Sequence, residues 1–85
     1  MNLDTTRNIL LRLFAECGGK TFAPEDWDFP LLTAKMGVTA RDLAYVFLRM
    51  KQQYSCNLNP VVAALTTYSV NDISQAFQRE LSSNE

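Results

Sequence analysis

The chain has 85 residues, 47% of them apolar and 20% charged, with a formal net charge of −1. That length gives room for one domain, residues 1–85, around one core, and excludes a second. The composition excludes the charge-rich signature of disorder, and the charge argues against nucleic acid, whose binding draws its affinity from neutralised phosphates. Two cysteines and no histidine are too few for a secreted disulfide scaffold and cannot complete a Cys/His zinc site. Cys17 and Cys56 therefore read as reduced, partly buried thiols, with a Cys17–Cys56 disulfide as the alternative. The opening is polar and carries neither a signal-like apolar stretch nor the run of about 18 apolar residues that a membrane span needs. A soluble, cytoplasmic monomer is the expectation.

The first periodic segment places Ile9, Leu10, Leu13, Phe14 and Cys17 at helical offsets, preceded by Asp4 or Thr5 as cap and closed by Gly18-Gly19. It predicts a helix over 5–17. Residues 20–38 hold Pro24, Pro30 and Gly37 and no sustained period, so they read as a long connection with one turn of helix at 31–34. Connections of this length are uncommon unless packed by their own side chains. Phe22, Trp27, Phe29, Leu31 and Leu32 are expected to lay this one over the bundle as an apolar flap.

The strongest signal follows. Leu43, Val46, Phe47, Met50 and Tyr54 lie at offsets of zero, three, four, seven and eleven, and Thr39-x-x-Asp42 forms a capping box ahead of them. These residues predict a second helix over 40–54. Asn59-Pro60 marks a short third helix over 60–65, and Ser69-x-x-Asp72 opens a fourth over 70–81, with Val70, Ile73, Ala76, Phe77 and Leu81 inward and a fraying tail. The charges are uneven: Glu25, Asp26 and Asp28 cluster, whereas Lys35, Arg41, Arg49 and Lys51 outnumber Asp42 across the middle of the chain.

These residues carry a resemblance. The stretch DLAYVFLRMKQQYSCNLNP from Asp42 is similar to the signature of acyl carrier proteins, in which an apolar second helix ends at an aromatic and an aliphatic residue follows four positions later, here Tyr54 and Leu58. TTYSVNDI resembles the threonine-rich run-in to that family's last helix, and DFPLLTAKMGVTARDL occupies the place of the loop before the attachment site. The resemblance spans roughly residues 6–77. It implies an all-α, acyl-carrier-protein-like four-helix bundle with three longer helices, a short third helix and a long first loop.

Within that family the ARDLAYVF block and NLNP are similar to the acyl-carrier-related proteins of bacterial peptide maturation systems, which accompany peptide-modifying enzymes and bacteriocin-like precursors. The departures are as informative. The resemblance puts the family's phosphopantetheine serine at Ala40, its preceding acid at Thr39 and its following leucine at Arg41, and no serine occurs before Ser55. A methyl group offers no nucleophile, and Thr39 is a weak substitute already suited to capping. Carriers of the family present an acidic second helix, whereas this one carries Arg41, Arg49 and Lys51. Tyr45 falls beside the buried stripe, an aromatic at the exposed edge.

The expectation is a non-enzyme without cofactor: an adaptor that binds a peptide-modifying or acyl-handling enzyme through Arg41, Tyr45 and Arg49. The alternatives are a carrier of acyl groups or small molecules, tethered at Thr39 or held non-covalently, and a generic helical interaction domain. No histidine is present to act as a general base near neutral pH. The Glu25, Asp26 and Asp28 cluster lacks the spaced ligands of a calcium loop, so no metal site is expected.

Overall fold

In the computed structural model, which describes residues 2–65 and 67–83, four α-helices are joined by one long and two short connections. They are α1 (Leu3–Gly18), α2 (Ala40–Tyr54), α3 (Leu58–Ala64) and α4 (Val70–Ser83), with a 3-10 turn at Pro24–Asp26. The described residues contain no strand. The radius of gyration is 11.7 Å, against about 12 Å for a folded chain of this length. α1 packs against both α2 and α4, and α3 packs against α4.

Boundaries differ from the sequence expectation where two residues compete to cap one helix. α1 starts at Leu3 because Asn2 accepts the Thr5 N–H at 2.8 Å. Asp4 then lies in the first turn, where it pairs with Arg7 at 2.6 Å and faces the positive end of the helix dipole. α3 starts at Leu58, two residues early, because Asn57 rather than Asn59 supplies the capping oxygen, accepting the Asn59 N–H at 3.0 Å. Pro60 is still accommodated, since the first turn of a helix leaves its N–H groups without intrahelical partners. α2 matches its expected bounds. α4 runs to Ser83, two residues beyond 81, and Ser69 accepts the Asp72 N–H at 3.1 Å. The tail at 84–85 and Thr66, part of the threonine-rich run-in, lie outside the described residues.

The core gathers Leu10, Leu13 and Phe14 of α1, Leu43, Val46, Phe47 and Met50 of α2, Val61 of α3, and Val70, Ile73, Ala76, Phe77 and Leu81 of α4. Phe47 and Phe77 meet edge to face at 5.3 Å and tie α2 to α4, an arrangement worth about 0.5–1.5 kcal/mol beyond the area it buries. Phe14 receives Phe22 from the long connection in the same way at 5.5 Å. Cys56 is buried and Cys17 half-buried, both as free thiols. Burial pushes the Cys56 thiol above its ordinary value, because the charged thiolate is the costlier form in an apolar surrounding.

The connection lies on the bundle, but only part of it is a flap. Leu31 is fully buried and Phe22 and Trp27 pack against the core, whereas Phe29 and Leu32 are exposed. The turn of helix expected at 31–34 does not form; a single bond from the Gly37 N–H to Thr33 O, 2.9 Å, closes one isolated turn there. The acids are drawn into fastening the loop. Asp26 lies 3.4 Å from Lys35, and Asp28 accepts from the Asn71 amide at 2.7 Å.

Two helix ends adopt the left-handed backbone. At Gly19 φ is +65°, and its N–H donates to Ala15 O; at Ser55 φ is +52°, and its N–H donates to Lys51 O. A methyl added at Gly19 meets no atom within 4 Å, so Gly19→Ala probes backbone strain alone. That substitution is expected to cost about 1 kcal/mol. Ser55→Gly is expected to gain about 0.5 kcal/mol, the relief of left-handed strain outweighing the entropy of glycine. Urea denaturation midpoints at constant slope measure both, and the two variants should move in opposite directions.

Candidate functional site

The buried stripe of α2 leaves the opposite face to solvent. Arg41, Tyr45, Leu48 and Gln52 follow one another at offsets of four, three and four, which aligns them along that face. Arg49 lies on one side of this row and Ala44 and Lys51 on the other, and all seven are exposed. Tyr45 is 46% exposed and Leu48 45%. An apolar pair is thus set among three cations.

The cations are held differently. The Arg41 guanidinium donates to the Tyr45 hydroxyl at 3.5 Å and stands 5.6 Å from the ring centroid. That hydrogen bond raises the Arg41 pKa above its ordinary value. Arg49 reaches across to Glu16 of α1 at 3.8 Å, with both side chains about half exposed. Such an exposed pair is screened by solvent and holds its partners weakly.

At the start of α2, Thr39 and Asp42 cap the helix reciprocally. The Thr39 hydroxyl accepts the Asp42 N–H at 3.2 Å, and the Asp42 carboxylate accepts the Thr39 N–H at 3.2 Å. Ala40 is the first residue of the helix and is exposed. Asp42 also faces the end of α1, where a methyl built on Gly18 would lie 3.2 Å from its carboxyl carbon. The acid of α2 is therefore turned into the fold, and the outward face is left basic. The Thr39 oxygen is committed to the helix, and Ala40 has none, so the residues here do not fit a phosphopantetheine attachment.

Arg41, Tyr45 and Arg49, the residues picked out from the sequence, share this exposed flank of α2. Leu48 was missed. Its signal was nevertheless present: it is an apolar residue outside the 43, 46, 47, 50, 54 stripe, three positions after Tyr45 and seven after Arg41.

A concavity lies between α3 and α4. A depression of about 230 Å³ is lined by Pro60, Ala64, Ala76, Arg79 and Glu80, and it adjoins one of about 50 Å³ lined by Ala64, Leu65, Asp72, Gln75, Ala76 and Arg79. Alanines on the facing positions 64 and 76 leave this space.

Together these features define an all-α four-helix protein with a basic, aromatic-bearing outer helix. No described helix is long and apolar enough to cross a membrane. No family model, curated protein or solved structure matches the chain.

Removing the cap tests whether the box builds this end of α2. Thr39→Ala is expected to cost about 1 kcal/mol of unfolding free energy, whereas Ala40→Ser, at an exposed first position, should change stability by less than about 0.5 kcal/mol. Thermal unfolding followed by circular dichroism separates the two.

Proposed function

We propose that this chain is an acyl-carrier-like scaffold that serves as a protein-binding adaptor, without a phosphopantetheine arm, in a bacterial peptide maturation system of the bacteriocin-like kind. The observation that carries the reading is the outward face of α2, where Arg41, Tyr45, Leu48 and Arg49 stand exposed beside a helix start that offers no attachment oxygen. Aromatic and arginine side chains are the residue types enriched where proteins meet. The basic sign matters for partner choice, because like-charge juxtaposition excludes partners built for an acidic helix and complementary charge speeds encounter. The partner in this reading is a peptide-modifying or acyl-handling enzyme, the chain itself is a cytoplasmic monomer that catalyses nothing, and the family assignment rests on the sequence resemblance and the four-helix layout.

Capture from the native host with the tagged chain is expected to lose its specific partner when Arg41→Glu or Arg49→Glu is introduced, with circular dichroism unchanged. Equal capture by both variants removes α2 from the account.

The α3–α4 depression favours a second reading, a non-covalent carrier of a short apolar chain. Intact mass after incubation with coenzyme A and a phosphopantetheinyl transferase is expected to show no gain for the wild type, and a gain at Thr39 would restore the tethered carrier. A fatty-acid adduct in the native mass spectrum, lost in Ala76→Phe, would support the non-covalent form.

A further inference from the structure

We propose that the outward face of α2 takes an acidic amphipathic helix of its partner, lying along the Arg41–Tyr45–Leu48–Gln52 row. This proposal rests on the adaptor reading and specifies what the adaptor grips.

Position in the fold is the first argument. Among the helix pairs that pack closely, α2 has α1 beside it, while α1 also takes α4 and α4 takes α3. α2 is thus an outer helix, held on its inner side by α1 and by the Phe47–Phe77 contact with α4, with a long face open.

The shape of that face is the second. Four residues over positions 41–52 make a straight ridge about 16 Å long at 1.5 Å per residue. Such a ridge, with side chains at offsets of three and four, is complementary to the groove between the corresponding rows of another helix at an axis separation of about 8–10 Å. An extended segment gains its affinity from backbone pairing along a sheet edge, and α2 spends its backbone groups within the helix.

Chemistry supplies the third. Tyr45 and Leu48, both nearly half exposed, sit at the centre of the ridge and call for apolar residues one turn apart on the partner. Arg41 lies before them and Arg49 and Lys51 after them on either side. Asp42 is occupied by the cap and Glu16 pairs with Arg49, so the rim is predominantly cationic. An acid-flanked apolar stripe matches both features, with carboxylates facing Arg41 at one end and Lys51 at the other. Displacing the weak Glu16 pair frees Arg49 to join them.

The test is a titration of the full chain, followed by amide NMR, with a helix-stapled peptide of about 15 residues that carries leucines at i and i+3 and glutamates on both flanks. The expected result is shifts confined to 41–52 and adjoining α1 positions. Affinity should fall about tenfold with Arg41→Glu, fall further with Leu48→Asp, and weaken as salt is raised. Equal binding of the lysine counterpart of the peptide, shifts centred on the α3–α4 depression, or binding to phosphatidylglycerol vesicles but not to the peptide would each overturn the proposal. Host capture separates the two levels: if it stays sensitive to Arg41→Glu while the acidic peptide fails to bind, the partner class is wrong and the adaptor reading survives. If capture is also insensitive, both fall.

Discussion

The long connection between α1 and α2 rests on the bundle through two backbone hydrogen bonds, and much of the architecture follows from them. The Leu31 N–H donates to Tyr68 O at 2.7 Å, and the Asn71 N–H donates to Trp27 O at 3.0 Å. A connection that crosses an apolar surface must place its peptide groups somewhere, because each one buried without a partner costs as much as a lost hydrogen bond. The start of α4 is suited to receive them: its first N–H groups lack intrahelical acceptors, so Asn71 takes the Trp27 carbonyl, while Tyr68, just ahead of the helix, offers its own carbonyl to Leu31. Pairing the loop there lets Leu31 enter the core and sets Trp27 beneath Arg7, whose guanidinium carbon stands 4.4 Å from the ring centroid.

Arg7 extends this junction. It pairs with Asp4 at 2.6 Å and donates to Asn71 Oδ1 at 3.2 Å, while the Asn71 amide donates to Asp28. One side chain of α1 thus reaches the loop and α4 together. The junction is not fully satisfied: Arg7 Nε and Trp27 Nε1 are buried without a protein partner, a cost that the stacked cation and ring recover only in part. The buried hydroxyls elsewhere are treated more conservatively, with Thr6 donating to Asn2 O and Ser74 to Val70 O.

With the connection held against α4, α2 is left at the edge of the bundle, and its two faces divide cleanly. Inward, Phe47 and Met50 complete the core; outward, Arg41, Tyr45, Leu48 and Arg49 remain. The division has an electrostatic counterpart, because capping and the close approach of Gly18 draw the α2 acid into the structure while its bases stay in water. α2 thus presents three cations around an apolar pair, and the Thr39 hydroxyl at its start is engaged by the cap.

The sequence by itself determined the existence of four helices, the bounds of α2 and the inward stripes of α1, α2 and α4, since periodicity and capping are local and these three helices carry them within or beside their own residues; the short α3 was marked by its cap and proline alone. Arg41, Tyr45 and Arg49 were legible as an exposed flank for the same reason, and Leu48 was legible but passed over. Which residue caps a helix was not legible, because Asn2 against Asp4 or Asn57 against Asn59 are near-equivalent local choices settled by packing and by pairs such as Asp4 with Arg7. Only the tertiary structure decided that Leu31 is core while Leu32 is exposed, and that Asp26 and Asp28 fasten the loop. Segments without a period hold no internal record of their inward side. Their burial is set by partners such as Tyr68 and Asn71, some forty residues away along the chain.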